Sequence, residues 1–478
     1  MNQPETSASD STATPFTPPG PLTPSTPLTP PAPLGARTWW TIVVVGLVGQ
    51  IAWTIENMYL NLFVYERISP DPAVIAAMVG VSAVAATIAT LLVGAWSDRV
   101  GRRRLFVAIG YMIWGALTAA FGLFGNHGED AATFAGATAA GTATIVTAGI
   151  IALDAVLTLF GSGANDAAFN AWVTDSTVPA NRGRVDGVLS VFPLVSMLLV
   201  FGILDPLTRA GNWQLFFLIV GAITSLAGVA AWFLMEDRAI PRRTMPAVRA
   251  VLGEFRLAAI RANPVLYVTL AIMAAVGIAT QVFMPYLIIY VQNYLRIDYA
   301  LVLGIVVVAG AILTVLGGRV MDRVGKDAFL LPVVAVFAAG LIGFWPAREL
   351  VPVILVGILA MSGMLSANAA VAAMVRDATP LDRAGAIQGL RIIAMVLIPM
   401  VIGPSIGAAV ISGAGQTYVD LGVVKPVPGP EIFPVAAAIL VLTVPALWML
   451  RRHALRRHAL QGRPPAATAP GAPRVRRR

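Results

Sequence analysis

The sequence predicts an all-α membrane protein whose 12 transmembrane helices form two pseudo-symmetric six-helix bundles. Its 478 residues are 57% hydrophobic and only 12% charged, whereas about a quarter of the residues in a soluble domain are charged. Twelve apolar segments are each long enough to cross a hydrocarbon core of about 30 Å as a helix. One polar motif occurs twice, 224 positions apart, at matching places in the two halves of the chain.

The apolar segments set the predicted domain boundaries. The spans are predicted at about residues 38–65, 73–96, 104–125, 142–172, 186–205, 213–235, 264–292, 299–317, 328–346, 351–374, 385–411 and 432–450. The domains are a Pro- and Thr-rich tail over 1–37, a bundle over 38–235, a basic linker over 236–263, a second bundle over 264–451 and a basic tail over 452–478. The first tail has the composition of a disordered segment, and linker residues 247–261 suit an amphipathic helix on the membrane surface.

The basic residues predict the orientation of the chain in the membrane. Of the 33 Lys and Arg residues, 27 fall in segments that share one side, five fall on the other side, and Arg391 lies within a span. Basic residues concentrate on the cytoplasmic side of membrane proteins. We therefore expect a multi-pass protein of the plasma or inner membrane with both termini cytoplasmic and an external insert at 126–141. The net charge of +9 is explained by this asymmetry and does not indicate nucleic-acid binding.

The repeated motif has the spacing Gly-x3-Asp-Arg-x-Gly-Arg/Lys and follows an apolar span in each half. Its residues are Gly94, Asp98, Arg99, Gly101 and Arg102 in the first half, and Gly318, Asp322, Arg323, Gly325 and Lys326 in the second. Glycine at the first position would let the helix end approach a neighbour closely. The aspartate can accept hydrogen bonds from an arginine and face the positive N-terminus of a helix. A second echo, around Asp175 and Asp377, supports an internal duplication.

Ionisable residues within the predicted spans are the first functional candidates, because burying them in a membrane is costly. Glu56 lies in the first span, Asp154 and Asp166 in the fourth, and Arg391 in the eleventh. Asp154 shares a polar stripe of the fourth helix near the predicted midplane, which makes it the best candidate for a coupling proton. Glu56 points about 100° away from the polar stripe of the first helix and is the alternative. The competing interpretations are a structural ion pair or helix–helix hydrogen bond for Asp154, a place in the external vestibule for Glu56, and anchoring of the cytoplasmic helix end for Asp166.

Amides and aromatic side chains within the spans are candidates for substrate binding. The set comprises Gln50, Trp53, Asn57, Asn61, Asn165, Gln281, Tyr286 and Asn368, together with Arg391. Amides and aromatic rings suit hydroxyl-rich ligands such as sugars, through hydrogen bonds and ring stacking. Arg391 could instead bind an anionic substrate or neutralise a carboxylate, and the amides could simply hold membrane helices together.

Other chemistries find little support in the sequence. The chain has no cysteine and only three histidines, which all lie outside the predicted spans. We therefore expect no metal site, no cofactor and no enzymatic activity.

The motif resembles the loop 2–3 signature of major facilitator superfamily transporters and its echo in loop 8–9. Residues 57–65 and 167–175 look like segments of the glycoside–pentoside–hexuronide and sucrose-type cation symporters. The resemblance implies a monomeric secondary transporter with a substrate site between its bundles. It also implies that Asp98 braces the start of the span at 385 and that Asp322 braces the span at 186, favouring the outward-facing state. The second span has no acidic residue before Asp98, so the resemblance favours proton over sodium coupling.

The leading hypothesis is proton-coupled symport of a small polar solute, a sugar, across the lipid bilayer. Proton-driven efflux of amphipathic compounds is the alternative. The fifth span reads Gly187 to Pro193 and lacks the Gly-x3-Gly-Pro-x2-Gly-Gly pattern that such antiporters often carry. A membrane receptor without transport activity is a third and more remote hypothesis.

Overall fold

The computed structural model describes residues 34–124, 139–237, 251, 253–380, 384–420 and 423–450. Twelve helices in this part of the chain are long and apolar enough to cross a membrane, which confirms the predicted fold class. They are α1 Ala36–Ile68, α2 Pro72–Val100, α3 Arg103–Phe124, α4 Thr144–Ser176, α5 Asn181–Arg209, α6 Trp213–Leu234, α7 Pro264–Tyr294, α8 Tyr299–Val324, α9 Lys326–Gly343, α10 Leu350–Ala378, α11 Ala386–Ala414 and α12 Ile432–Leu450.

The two halves of the chain form bundles with the same internal packing. In the first, α3 packs on α6, α2 on α4, and α1 on both α5 and α6. In the second, α9 packs on α12, α8 on α10, and α7 on both α11 and α12. The bundles meet where α2 packs on α11 and α5 on α8. The packing therefore supports the duplication that the repeated motif suggests.

Small residues allow close helix contacts within each bundle. A Cβ atom at Gly115 in α3 would lie 2.4 Å from the carbonyl oxygen of Gly221 in α6. A Cβ atom at Gly340 in α9 would lie 2.4 Å from the backbone nitrogen of Ala360 in α10. Membrane helices associate through such close van der Waals packing because lipid provides no hydrophobic driving force between them.

The molecule has two sides, a terminal side and a hairpin side, which the helices connect. The terminal side carries the start of α1, the end of α12 and both copies of the motif. The hairpin side carries a short antiparallel hairpin between α11 and α12, formed by β1 Thr417–Asp420 and β2 Val423–Pro426, in which Tyr418 pairs with Lys425. The sequence did not predict this hairpin.

The motif lies mainly in helix ends, and not in a loop as its position between spans suggested. Helix α2 continues to Val100, and Gly101 then adopts φ = 68°, with its N–H bonded to the Ser97 carbonyl oxygen at 2.9 Å. Gly325 ends α8 with φ = 84°. A positive φ is readily adopted only by glycine, so these two residues allow the chain to turn at once into the next helix.

The close approaches expected at the first glycine of each motif are absent. A Cβ atom at Gly94 would make an ordinary contact of 3.7 Å with Ala167 Cβ, and one at Gly318 would have nothing within 4 Å. The expectation was wrong because Gly318 faces open space near the end of its helix, and the neighbour of Gly94 stands at ordinary van der Waals distance. The sequence does not show how far a helix end stands from its neighbours.

Arg103 joins three helix ends on the terminal side. It is 6% exposed and donates to Asp98 at 2.6 Å, to Asp175 at 2.7 Å and to Ser97 Oγ at 2.9 Å. In the second half, Lys326 donates to Asp377 at 2.5 Å. Asp175 at the end of α4 and Asp377 at the end of α10 thus each bind a basic residue that follows the motif glycine, Arg103 two positions after Gly101 and Lys326 directly after Gly325.

Several predicted features lie partly or wholly outside the described residues. The tails over 1–33 and 451–478 and insert residues 126–138 belong to this group. The amphipathic helix predicted over 247–261 is described only in part, and the described linker contains a short helix, Leu257–Ala262.

The contacts of Arg103 predict a measurable contribution to stability. The substitution Arg103→Gln removes the guanidinium group that bonds both Asp98 and Asp175, which should lower the free energy of unfolding by about 1–3 kcal/mol. Thermal unfolding in detergent would show this as a lower midpoint. Arg102→Gln is the matched control, because the Arg102 side chain is exposed and forms no ion pair with another described residue. Equal midpoints for the two variants would contradict the structural role of Arg103.

Candidate functional site

Two carboxyl groups are enclosed between α1, α2 and α4. Asp154 is 2% exposed and its Oδ2 accepts a hydrogen bond from the Ser82 hydroxyl on α2. Glu56 on α1 accepts a hydrogen bond of 2.6 Å from Thr158 Oγ1. Thr158 lies one helical turn after Asp154 on α4. The Glu56 carboxyl group, which bonds Thr158, therefore lies beside the Asp154 carboxyl group along the same face of α4. They are close enough to interact electrostatically.

Each of these carboxyl groups has a buried oxygen that no hydrogen bond satisfies. The two atoms are Glu56 Oε2 and Asp154 Oδ1. Among the described residues, no Lys or Arg forms a salt bridge with either group. A buried charge without a counter-charge is expensive, and two neighbouring carboxylates repel each other. The arrangement therefore favours a pair that holds at least one proton.

A second polar cluster surrounds Asp166 in α4. Asn165 Nδ2 donates to Asp166 at 2.9 Å, and Asn165 Oδ1 accepts from the Tyr111 hydroxyl at 2.7 Å. Trp53 of α1 lies beside the Asp166 carboxyl group. Gly49 makes room for this cluster, since a Cβ atom there would lie 2.4 Å from Tyr111 Oη. Asn165 is thus committed to protein partners in this conformation.

The polar stripe predicted on α1 does not keep its periodicity. Asn57 is exposed, whereas Asn61 is 1% exposed with an unsatisfied Oδ1, and Gln50 is half-buried. Residues 55–59 and 64–68 form π-helical turns, which add a residue to a turn. A helical wheel drawn at 100° per residue does not describe these turns. This explains why Gln50, Asn57 and Asn61, which such a wheel assigns to one polar stripe, differ in exposure.

The candidates on α7 and α10 separate into different environments. Tyr286 is 1% exposed, and its hydroxyl lies 2.9 Å from the Pro404 carbonyl oxygen and 3.1 Å from that of Pro72. Asn368 is exposed and Gln281 is half-buried. A Cβ atom at Gly403 would lie 2.5 Å from Gln281 Cβ, so Gln281 packs against α11. Of these three residues, Tyr286 holds the bundles together and Asn368 is accessible.

Arg391 lacks the carboxylate partner that would make it a structural ion pair. The side chain is half-buried in α11, and Nη1 lies 3.5 Å from Gln388 Oε1. Among the described residues, no carboxylate forms a salt bridge with it. Arg376, at the end of α10, is a charged neighbour of Arg391.

An ionic latch joins the two bundles on the hairpin side. Asp205 in α5 is 1% exposed and accepts hydrogen bonds from Tyr59 at 2.9 Å, from Arg209 Nε at 2.5 Å and from the Tyr299 hydroxyl of α8. The Arg209 guanidinium also forms a bidentate bridge to Asp298, at 2.8 and 2.6 Å. Tyr299 and Asp298 belong to the second bundle, so these bonds hold α5 against α8.

The Arg209 guanidinium lowers the pKa of Asp298 from 3.8 to about 2. A lowered pKa means that the stabilisation by the carboxylate is complete above the ordinary pKa and is lost only as the pH falls towards about 2. Asp298 therefore stays ionised throughout the neutral range. A pH dependence of transport near neutrality would have to arise from other groups.

Other polar contacts between the bundles also lie on or towards the hairpin side. Tyr65 Oη donates to the Pro426 carbonyl oxygen at 2.7 Å, and Gln292 Nε2 donates to Glu66 at 3.1 Å. On the terminal side, the polar contacts among the described residues remain within one bundle or link it to the connecting segment. This distribution indicates a conformation that is closed on the hairpin side.

The motif aspartates have different environments in this conformation. Asp98 pairs with Arg103, whereas Asp322 is exposed and forms no ion pair with a described residue. Arg99, Arg102 and Arg323 are also exposed. The expected contact of Asp98 with the start of α11 involves residues 381–385, of which 381–383 lie outside the described part of the chain. No hydrogen bond joins Asp322 to α5 among the described residues.

Sequence reasoning missed several residues of these clusters. Ser82 and Tyr111 belong to residue types that are common in membrane helices, and no motif marks them. Asp205 lies at the predicted end of its span, where an acidic residue suggests a solvated helix end. Only the tertiary structure shows that α5 continues to Arg209 and brings Asp205 against α8.

Comparisons with known proteins place this architecture among membrane transporters. The family model described as Major Facilitator Superfamily matches residues 42–404. No curated protein sequence matches the chain. A variant of the nucleoside transporter NupG superposes with a TM-score of 0.66 at 12% identity, covering 86% of this chain and 98% of that one.

Two further structures show the same fold. A bacterial homologue of the human lysosomal transporter Spinster, inward-facing and unoccupied, gives a TM-score of 0.62 at 14% identity and covers 88% of this chain and 98% of that one. The xylose transporter XylE from E. coli, partially occluded and inward-open, gives 0.59 at 15% identity and covers 86% and 97%. At these identities the likeness shows the fold alone.

The latch predicts how the conformational equilibrium responds to mutation. Arg209→Gln removes both the bridge to Asp298 and a bond to Asp205, and should increase the population open on the hairpin side about fivefold, as expected for about 1 kcal/mol from a partly exposed ion pair. Spin labels on cysteines at Ala210 and Glu349, exposed positions on opposite bundles, would report it as a longer distance. Arg348→Gln is the control, since that arginine bonds only within its own bundle. An unchanged distance distribution in Arg209→Gln would rule out the latch.

Proposed function

Because this chain belongs to the major facilitator superfamily, whose model matches residues 42–404, we propose that it is a proton-coupled symporter of a small hydroxyl-rich solute. It is a membrane transporter of a small solute and not an enzyme. The proposal extends this to the coupling ion, the chemistry of the solute and the direction of transport. The observation that carries it is the buried pair of carboxyl groups, Glu56 and Asp154.

The pair has the properties that a proton carrier needs. Glu56 accepts a hydrogen bond from the Thr158 hydroxyl, and Asp154 accepts one from the Ser82 hydroxyl. Each carboxyl group keeps one oxygen that no hydrogen bond satisfies. A neutral carboxyl group can remain buried at moderate cost, whereas an ionised group needs water or a cation. A conformational change that gives the pair access to water on one side would therefore release the proton on that side.

The position of the pair links the proton to the movement of helices. Glu56 is on α1 and Asp154 on α4, and Ser82 is on α2, which packs against α11 of the other bundle. Protonation thus changes the bonding of three helices, one of which forms the contact between bundles. In the proposed mechanism, the bundles change their relative orientation when the pair is protonated and the solute is bound, or when the pair has released its proton and the site is empty, whereas a carrier that holds only one of the two does not.

The accessible amides support binding of a hydroxyl-rich solute. Asn57 of the first bundle and Asn368 of the second are exposed, and Gln281 and Trp53 are half-buried. Amides can donate and accept hydrogen bonds at once, which matches the paired donors and acceptors of a sugar. We propose that these four residues contact the solute, while Tyr286 and Asn165 act through the packing of their helices.

We further propose that the terminal side faces the cytoplasm. The excess of Lys and Arg on that side supports this orientation, and it makes the conformation described above an inward-facing one. Asp98 would leave Arg103 and meet the start of α11 when the terminal side closes. If the proton concentration is higher outside, the inward flow of protons through a symporter drives uptake of the solute and not its efflux.

The role of Asp154 can be tested by transport in proteoliposomes. A pH gradient of about one unit can drive about tenfold accumulation at one proton per solute, because one unit corresponds to about 1.4 kcal/mol. In a flux screen of radiolabelled sugars, Asp154→Asn should keep exchange of the transported solute but lose its accumulation, since an amide mimics the protonated group permanently. Glu349→Gln, which changes an exposed carboxylate, should accumulate the solute as the parent does.

Glu56→Gln decides between the two members of the pair. If Asp154→Asn still accumulates solute and Glu56→Gln does not, the coupling proton belongs to Glu56. If both variants accumulate solute normally, proton coupling by this pair is wrong. Extrusion of solute against the gradient would show antiport and would favour the alternative of efflux.

The orientation can be tested independently of transport. The chain has no cysteine, so single cysteines can be introduced without background. A cysteine at Val419, which is 68% exposed in the hairpin, should react with a membrane-impermeant thiol reagent on intact cells. A cysteine at Arg102 should react only after lysis, and the reverse pattern would overturn the proposed orientation.

A further inference from the structure

We propose that Arg391 is a recognition site for a negatively charged oxygen group, a carboxylate or phosphate, on the transported solute. This deepens the proposed function and rests on it, because it replaces a neutral sugar by a hydroxyl-rich anion such as a sugar acid or sugar phosphate. Among the described residues, no carboxylate provides Arg391 with a counter-charge.

An arginine within a membrane-spanning helix ordinarily has a partner. Ionisable residues in such helices are costly and pair with one another, with backbone carbonyls or with a ligand. Arg391 lies in the second turn of α11, is half-buried, and has one weak contact, at 3.5 Å, with Gln388 Oε1. Among the described residues, no carboxylate bridges it.

The nearby charge is positive. Arg376, at the terminal end of α10, is exposed and interacts electrostatically with Arg391, and no described carboxylate bridges it either. The next residue, Asp377, is used by Lys326 at 2.5 Å. Two guanidinium groups that no described carboxylate bridges lie at the same end of one bundle, and together they create a positive potential that attracts anions.

The acidic groups of the site belong to the other bundle and have their own partners. Asp166 accepts from Asn165, Asp154 from Ser82, and Glu56 from Thr158. None of these carboxyl groups forms a salt bridge with a described Lys or Arg. A solute that carries its own negative charge would neutralise Arg391 without disturbing these proton-binding groups.

The geometry of an arginine suits this role. A guanidinium group presents parallel N–H donors that match the two oxygens of a carboxylate or phosphate. Gln388 lies three residues before Arg391, and side chains at this spacing are neighbours on a helix surface. Its exposed amide can therefore bind a hydroxyl group of the same solute.

The local charge can be measured with a cysteine at Gln388. In the cysteine-free chain, Gln388→Cys should react faster with a negatively charged thiosulfonate reagent than with a positively charged one. Adding Arg391→Gln should lower the ratio of the two rates about tenfold, because removing one unit charge about 6 Å away in water changes each rate about threefold, in opposite directions. Adding Arg319→Gln, an exposed arginine on the same side, should leave the ratio unchanged.

Ligand preference can be measured by thermal stabilisation in neutral detergent, which needs no proton gradient. The probes are matched pairs of neutral and anionic solutes: glucose and glucuronate, glucose and glucose 6-phosphate, glycerol and glycerol 3-phosphate. At least one anionic member should raise the unfolding midpoint of the parent more than its neutral partner does. This difference should disappear in Arg391→Gln and be reduced in Arg391→Lys, which keeps the charge but not the bidentate geometry.

Several outcomes would overturn the proposal. They are equal reagent rates at Gln388→Cys in the parent, stabilisation by neutral members alone, or an anion preference that survives Arg391→Gln.

A lipid headgroup is the other source of the same chemistry. If phosphatidylglycerol in nanodiscs abolishes the reagent preference and no soluble anion stabilises the protein, the site binds lipid and the solute assignment is wrong. Since Gln388→Cys keeps Arg391, the proposal stays testable even if Arg391→Gln fails to fold. Loss of coupling in Asp154→Asn without any anion preference would leave the symporter proposal intact and refute only this one.

Discussion

The high cost of an unpaired charge in a low-dielectric interior governs the arrangement of polar residues in this protein. Where a buried charge has a structural role, the chain supplies its partner. Arg103 lies between Asp98 and Asp175, and Asp205 accepts from Arg209 and two tyrosines. Where partners are missing, the simplest explanation is that a mobile species provides them.

This view separates the two bundles by function. Among the described residues, the first bundle encloses two carboxyl groups, Glu56 and Asp154, that form no salt bridge, which suits the proposed proton. The second bundle presents Arg391, which no described carboxylate bridges, and this suits the proposed anion. The helices of the two bundles nevertheless pack in the same order. The internal duplication has therefore preserved the scaffold while the polar residues on its inner surfaces have diverged.

Much of the architecture could be predicted from the sequence because it depends on properties that are local in the chain. The number of spans follows from the length of the apolar segments, and the matching packing of the two halves follows from the repeated motif. The placement of Asp154 in a polar environment also follows, since an acidic residue in an apolar helix needs polar neighbours. These predictions required only the sequence spacing and the physics of the bilayer.

The remainder of the site depends on contacts between distant segments. The π-helical turns in α1 and α4 disturb the helical wheel, so exposed Asn57 and buried Asn61 could not be distinguished. Ser82 could not be singled out as the partner of Asp154, because its position opposite α4 is a tertiary property. The latch was missed for the same reason, since Asp205 and Asp298 are separated by a bundle boundary.

The latch also has a consequence for the speed of the transport cycle. Its outer bridge joins side chains that are 40% and 47% exposed, and such ion pairs contribute only about 0–1 kcal/mol because water and salt screen them. A transporter returns repeatedly to both of its conformations, and a deep energy minimum at either end would slow every cycle. A weak, hydrated ion pair such as this outer bridge favours the resting conformation while it leaves the free-energy barrier to reopening low. Mobile ions on the hairpin side would weaken it further, so ionic strength there becomes a control on the resting conformation.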